Sequence, residues 1–547
     1  MAKPAKAFDC DYLVIGGGTA GCVIAARLSE SKENRVILLE AGNWDSHPLL
    51  SIPGATPITS SASRFNWRVY TRPEPELHGR ELFISQGKVM GGSSSINGMV
   101  YTRGQPWDYD HWSELGCRGW SSEDVLPVFR KSESNDRGPS HWHGGAGPVR
   151  VTQGRSELAI CEEFFHAASA AGYAFVDDFA AERREGFGYF DTTVHHGRRS
   201  SSSQAFIHPA EHRKNLRIIT GALARRLIFG NYRAQACEFT RRKGEERINV
   251  DREIVLCSGA LRSPQLLMLS GIGPADHLHA LGLKTIQELP GVGANLQNHL
   301  AYKLQYAVNR PITGYSYLKP ARALRTGLEY AMFRAGYLAH SPTCMGGFLR
   351  TQRSVADAPD IQVFVNPALV GKIDQGLLNL LPKQHGFSVF VNQGRPWSRG
   401  EVRLRSRDAA DNPLIHGRYL SDPRDLDVLT DGVEMMRTLI LQGKLKAIIE
   451  RELLPGPAAC DRKALEDHIR RTCTNHFHLA GTCRMGEDPG AVVDSELRVR
   501  GLENVRVADA SIMPTLINGN PMAPIMMIAE KAAEYLTQAR TRTRNVY

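Results

Sequence analysis

The sequence predicts an α/β fold, on three observations. An apolar strand near the N-terminus runs straight into a glycine-rich turn and a helix; a second apolar strand ends on a carboxylate; and later apolar strands, around residues 215–259, return to the same layer after a long excursion. In the first, Tyr12–Ile15 is an unbroken apolar run, the pattern of a strand buried on both faces of a parallel sheet. Gly16-x-Gly18-x-x-Gly21 follows at once, and Cys22–Leu28 continues with helical spacing. Gly16 permits the tight turn, Gly18 lets a pyrophosphate approach the backbone, and Gly21 lets helix pack on strand. Thr19 and Ala20 open the helix, whose positive end faces phosphate. In the second, Arg35–Leu39 leads to Glu40, which is placed to accept from ribose hydroxyls. An acid there favours an adenosine ribose without a 2′-phosphate, hence FAD or NAD.

The 547 residues are 42% hydrophobic and 23% charged, which excludes a disordered, collagen-like or coiled-coil chain. That length accommodates several domain-sized units or two interleaved ones. Lys+Arg 67 against Asp+Glu 57 leaves a net charge of +10. The excess is thinly spread: Arg225–Arg226, Arg241–Lys243 and the tail Arg540, Arg542, Arg544 form no stripe, so no nucleic-acid partner is expected. It suits an anionic cofactor or substrate, or peripheral contact with a quinone-bearing membrane surface. Ten cysteines without paired spacing read as reduced thiols. Met1–Asp11 lacks the features of a signal peptide, and no apolar segment reaches the roughly 18 residues of a membrane span, so a cytoplasmic protein is expected. No motif speaks to oligomeric state.

Four further stretches carry a resemblance. They are Gly87-Lys-Val-Met-Gly-Gly-Ser-Ser-Ser-Ile-Asn97, Gly259-Ala-Leu-Arg-Ser-Pro-Gln through Gly273, His478-Leu-Ala-Gly-Thr482 with Val507-Ala-Asp-Ala510, and Gly519-Asn-Pro521. In order and spacing they resemble the glucose–methanol–choline (GMC) family of flavoprotein oxidoreductases, over almost the whole chain. The resemblance implies FAD rather than NAD. It implies a Rossmann-like FAD-binding domain with a discontinuous substrate domain built on a largely antiparallel sheet. Gly91, Gly92 and Ser93 form a small-residue loop that a flat ring could approach, and Asn97, Gly98, Met99 and Val100 continue it as flavin contacts. Relatives with covalently attached flavin carry His just before that Asn; Ile96 stands here, so FAD is expected to bind noncovalently. The backbone of Ala224 would meet the adenine. Asp509 with Ala510 would meet the ribityl or pyrophosphate region, the alternative for Asp509 being a turn or cap residue. Pro521 and Met522 open a helix whose positive end would point at the flavin pyrimidine edge.

For the chemistry, His478 matches the family's catalytic base, and Asn520 stands where relatives carry Asn or a second His. The expected reaction is oxidation of a primary alcohol, aliphatic or aryl, to the aldehyde. The base takes the hydroxyl proton, hydride passes to the flavin N5, and electrons leave to oxygen or a quinone-type carrier. His476 and Phe477 are candidate substrate contacts, since pyridoxine-oxidising relatives have His-x-His here. A rival reading of Cys473, His476, His478 and Cys483 as a zinc cluster fails on spacing, and no metal is expected. Asn295-Leu-Gln-Asn-His299 resembles a family stretch after which choline oxidases place Glu; Ala301 occupies that position and disfavours choline. Trp67, Tyr70, Phe348, Phe364 and Phe477 are aromatic pocket candidates, with core packing as the plainer account. Pyridoxine-type or choline-type alcohol oxidation, and outside alcohol chemistry a lyase or fatty-acid photodecarboxylase of the same family, are the alternatives. The expected domains are 8–60, 200–310 and 485–547 for FAD, and 61–199 and 311–484 for substrate, with loop 87–98 against the flavin.

Overall fold

The computed structural model describes residues 6–544 except 243, 355–356, 376–378 and 380, so Met1–Ala5, Lys243 and Asn545–Tyr547 lie outside it. The N-terminal strand Lys6–Ile15 pairs in parallel with Val36–Leu39 on one side and Gly244–Leu256 on the other. Leu216–Ile219 extends the sheet beyond Val36–Leu39, and Val505–Val507 adds beside Ile254–Leu256, both parallel. The four residues Val36–Leu39 are all buried, as a central parallel strand requires. An antiparallel hairpin, Ala222–Gly230 and Arg233–Arg241, completes the sheet. This is the expected parallel nucleotide-binding layer, drawn from segments more than two hundred residues apart.

Helices Thr19–Leu28, Ser122–Ser132 and Met522–Arg544 pack together on this sheet. Glu530, fully buried, binds them into one body: it accepts from Arg27 at 2.8 Å and from Ser132 Oγ at 3.2 Å, and pairs with Lys131 at 3.2 Å. A buried carboxylate is tolerable only when partnered in this way.

The second sheet is antiparallel throughout, in the order Ile449–Leu454, Leu300–Val308, Gly386–Gln393, Ile361–Asn366, Met345–Leu349, Gly186–Tyr189. Helices Ala159–Ala170 and Pro423–Ile440 cover it, around a core that includes Phe164, Tyr302, Phe387 and Val433. Two segments sit differently from the expected division of the chain. Leu300–Val308 belongs to this second sheet, so the chain leaves the nucleotide half before residue 300 rather than at 310. Conversely, Tyr101, Tyr109, Trp112, Trp120 and Phe129 lie within 61–199 yet pack into the core of the first sheet. Their aromatic bulk is buried under helix Met522–Arg544, which amphipathic spacing alone does not reveal. All ten cysteines are unpaired thiols, nine of them buried. Among the described residues no helix is long and apolar enough to cross a membrane.

Candidate active site

A cavity of about 840 Å³ runs between the two sheets, from the glycine-rich turn to the second sheet. One end of it lies at the glycine-rich turn. Gly16, Gly18, Thr19, Ala20, Glu40 and Ala224 line it. Gly21 does not; a Cβ there would stand 1.8 Å from the Gly16 carbonyl oxygen, so its work is the close packing of helix on turn. Glu40 accepts from the backbone N–H of Gly17 at 2.7 Å and of Gly42 at 2.6 Å. Burial outweighs these bonds and raises its carboxyl to about 7. Each oxygen keeps a second lone pair for a ribose hydroxyl.

The small-residue loop forms the next wall. Gly92, Ser93, Asn97, Gly98, Met99 and Val100 line the cavity; Gly91 lies behind it and donates its N–H to the Gly17 carbonyl at 2.7 Å. Gly92 has φ +55° and would place a Cβ 2.7 Å from the Gly18 Cα, so only glycine lets this loop touch the phosphate turn. These glycine approaches and the free lone pairs of Glu40 fit a dinucleotide such as FAD. Arg199, which sequence reasoning missed, holds the loop in place. It is buried and donates to the carbonyls of Ser94 (3.2 Å), Asn97 (2.7 Å) and Leu50 (3.0 Å), and to Asn97 Oδ1 and Thr56 Oγ1, each at 2.8 Å. Burial lowers its guanidinium to about 9. Asp509 and Ala510 border the cavity, but the Asp509 carboxylate already accepts from Gly259 N and Ser511 N, each at 2.8 Å, and from Ser263 Oγ. It is therefore the cap of two turns beside the cofactor wall.

At the far end Asn475-His-Phe-His478 makes a tight turn in which Phe477 has φ +64°, a left-handed conformation that is uncommon for a bulky residue. The turn sends His476, Phe477 and His478 to the cavity wall. His476 stacks on Phe364, ring centroids 5.3 Å apart, and lies 5.3 Å from Phe390. Its ring is therefore part of an aromatic wall, and burial depresses it to about 3. Asn520, Pro521 and Met522 line the opposite side, and Asn97 Nδ2 reaches Met522 Sδ at 3.2 Å.

The hydrogen bonds around His478 determine its tautomer. His299 Nε2 lies 3.0 Å from the Gly394 carbonyl, which can only accept, so that nitrogen carries a proton. Burial lowers His299 to about 4, leaving it neutral with a lone pair on Nδ1. That Nδ1 lies 2.8 Å from His478 Nδ1, so His478 donates there. Burial likewise holds His478 well below the ordinary imidazole value, with His299 and His476 adding to the effect. His478 is thus neutral, and its Nε2 presents a lone pair to the cavity. Asn520 Nδ2 lies 3.3 Å from that nitrogen. Gln362 donates to Asn520 Oδ1 at 3.0 Å, which turns the amide so that its N–H groups face His478 and the cavity. Backbone bonds finish the framework: His478 N donates to Asn298 Oδ1 and Asn520 N to Thr102 Oγ1, each at 2.8 Å. The arrangement is a neutral base beside an amide donor, suited to removing a hydroxyl proton and steadying the oxygen left behind.

Comparison with known proteins finds a family and relatives over most of the chain. A family model described as GMC oxidoreductase matches residues 10–301, and a second of the same description matches 396–529. The mitochondrial choline dehydrogenase of Homo sapiens is 40% identical over 541 residues, spanning 96% of this chain and 90% of that protein. The oxygen-dependent choline dehydrogenase of Brucella suis biovar 1 (strain 1330) is 38% identical over 530 residues, 96% and 95% of the two chains. Among solved structures, pyridoxine 4-oxidase from Mesorbium loti superposes with a TM-score of 0.86 at 33% identity, covering 96% of this chain and 98% of that one. A formate oxidase gives 0.92 at 24% identity, over 98% and 99%, and shares the fold.

Proposed function

The chain belongs to the GMC oxidoreductase family and is an enzyme that acts on CH–OH groups; from that premise we propose that its substrate is a neutral primary alcohol, aliphatic or aryl, oxidised to the aldehyde with His478 as base. The observation that carries this reading is the lone pair of neutral His478 Nε2, held beside the Asn520 amide against a wall of Phe364, Phe390, His476 and Phe477. His478 removes the hydroxyl proton at Nε2 while its Nδ1–H stays on His299. Asn520 donates an N–H to the alcohol oxygen as it gains charge, and the aromatic wall orients the carbon chain and excludes water. FAD, when bound, supplies the acceptor for the carbinol hydrogen and its electron pair. Gly18, Glu40, Gly92, Ser93, Asn97, Ala224 and Met522 would hold it. Ile96 borders its cavity and packs among Leu50, Phe65 and Val89 without offering a nucleophile, which supports noncovalent attachment.

A cationic alcohol is the second reading, since the faces of Phe364 and Phe390 could receive a quaternary ammonium head and choline is the substrate named for the relatives. Against it, the described carboxylates of the cavity wall are Glu40 and Asp509 at the nucleotide end and Glu157 beside Arg155. Ala301 pairs in register with Asn392 and Thr474 and brings no charge. The experiment is anaerobic reduction of the loaded flavin by alkanols, benzylic alcohols, pyridoxine and choline. Bleaching by the neutral alcohols with choline slowest is the expected result; fastest bleaching by choline would replace the first reading with the second. Bleaching by none would sink both. Admitting air then separates an oxidase from a dehydrogenase, and acid precipitation that leaves all flavin in the supernatant would establish noncovalent binding.

A further inference from the structure

The large hydrophobic side chains left in solvent are not scattered evenly. Leu318, Leu324, Leu328, Met332 and Phe333 fall in one stretch, 318–333, with exposures of 38%, 67%, 52%, 65% and 70%. Four of them lie on the helix Pro320–Phe333, which buries only Thr326 and Tyr330. Leu324, Leu328 and Met332 recur every fourth residue and so stack along one face, opposite the buried pair. A helix with an unpartnered apolar face of this width needs a partner. The inner side of the same helix borders the cavity through Ala323 and Thr326. Leu318 lines the cavity too, as do Ile58 and Leu381, which are also exposed. The apolar surface is therefore continuous with the mouth of the active site.

Charge decides what covers it. The segment 319–334 carries Lys319, Arg322, Arg325 and Arg334 against one acid, Glu329. Arg322 lies over the Tyr317 ring at 4.2 Å near the start of the helix, and Arg325, one residue after Leu324, falls beside Met332 at the edge of the apolar face. A second copy of this chain would bring two such basic sets together across a symmetric interface, which like-charge repulsion opposes. An anionic lipid surface meets both the apolar face and its basic frame. We propose that the helix Pro320–Phe333 is a membrane-docking element that lays the Leu324, Leu328 and Met332 face into the headgroup boundary of an anionic bilayer. Leu318 precedes the helix at the cavity mouth, and docking sets that mouth at the bilayer surface. An apolar small molecule leaving the bilayer then reaches the cavity past Ile58, Leu318 and Leu381. The proposal is independent of which alcohol is oxidised, because it concerns a surface outside the catalytic group.

The test is flotation of the FAD-loaded full chain with vesicles of equimolar phosphatidylcholine and phosphatidylglycerol, alongside vesicles of phosphatidylcholine alone. The chain should float with the anionic vesicles, less so with the neutral ones, and less as salt is raised. The triple variant Leu324→Glu, Leu328→Glu, Met332→Glu should lose vesicle affinity by on the order of a hundredfold or more. Its flavin content and reduction by a short water-soluble alcohol should stay unchanged, because these side chains do not line the cavity. Lys319→Gln with Arg325→Gln, which leaves the apolar face intact, should weaken binding to anionic vesicles alone. No flotation of the loaded wild type, or equal flotation of the triple variant, would overturn the proposal. So would a dimer in sedimentation that the triple variant abolishes, since a second copy would then own the surface.

Discussion

In the proposed reaction His478 serves as the base because of what stands behind it. A neutral imidazole has one lone pair, and the chain Gly394 carbonyl, His299, His478 places that lone pair on Nε2. Replacing His478 by Ala should keep FAD bound and slow anaerobic flavin reduction by about 10²–10⁴-fold, the usual range for a general base; unchanged reduction would remove His478 from the chemistry. His299→Leu takes away the acceptor that selects the tautomer. It should lower kcat tenfold or more with little change in KM, and His299→Gln, which can still accept, should recover part of the loss. Because His478 is depressed well below the ordinary 6.5, protonation disables it only at low pH. The rate of flavin reduction should therefore stay level from pH 8 to below about 6.5 and fall only beneath that. A half-maximal point near the ordinary histidine value would contradict the buried, neutral base. His478 and Asn520 were legible in the chain because each sits in a short local motif. The partners that give them their roles, His299 and Gln362, are 179 and 158 residues away, and no local pattern joins such pairs.

At the scale of the element, the small-residue loop closes on itself through Ser94 Oγ to the Gly91 carbonyl at 2.6 Å and Ser95 Oγ to the Met90 carbonyl at 2.7 Å. Arg199 adds support from a separate segment, donating to the carbonyls of Ser94, Asn97 and Leu50 and to two side-chain oxygens. Arg199→Met would take the donor from the buried Ser94 and Leu50 carbonyls, a cost of about 1–3 kcal/mol for each acceptor left unpaired, while Asn97 Oδ1 would keep its bond from Met99 N. The expected outcome is protein that purifies with a low ratio of flavin to chain and a lowered Tm; full flavin loading would show that the loop stands without it. The turn at Phe477 is the second element with a built-in cost. Its left-handed backbone keeps His476 and His478 on one wall, held there by the pairing of Thr474 and Asn475 with the second sheet and by the bonds from Phe477 N to Asn475 Oδ1 and His478 N to Asn298 Oδ1. Glycine spacing announced the phosphate turn, whereas nothing in the sequence announced a positive φ at a phenylalanine.

At the scale of the whole molecule, two seven-stranded sheets flank the cavity and are tied together outside it by a charged clamp. His143 is buried with Nδ1 2.7 Å from Glu133 and Nε2 2.8 Å from Asp178. Glu133 ends the helix that packs on the first sheet, and Asp178 precedes the edge strand of the second. Burial alone would lower the imidazole, but its bonds to Asp178 and Glu133 prevail and raise it from 6.5 to about 9. Both ring nitrogens face carboxylates, so His143 acts here as a doubly donating imidazolium. Its folded value stands above its unfolded one. The stabilisation is therefore complete below about pH 6.5 and is lost as pH rises through about 9, roughly 3 kcal/mol in all. Tm should decline over that window, and His143→Gln should have a lower Tm at pH 6.5 and a flatter profile; parallel profiles would refute the clamp.

The sequence by itself determined the nucleotide end of this protein, because there the chemistry is carried by consecutive residues: a strand, a turn of glycines, a helix and a terminal acid. It also singled out His478 and Asn520 as the proposed base and donor, since each lies within a family motif a few residues long. Only the tertiary structure decided the tautomer of His478, the orientation of the Asn520 amide and the support given by Arg199. It also decided that the aromatic run from Tyr101 to Phe129 belongs to the nucleotide core. Each of these depends on groups far apart in the chain meeting at hydrogen-bond or van der Waals distance, and that proximity is a property of packing rather than of spacing.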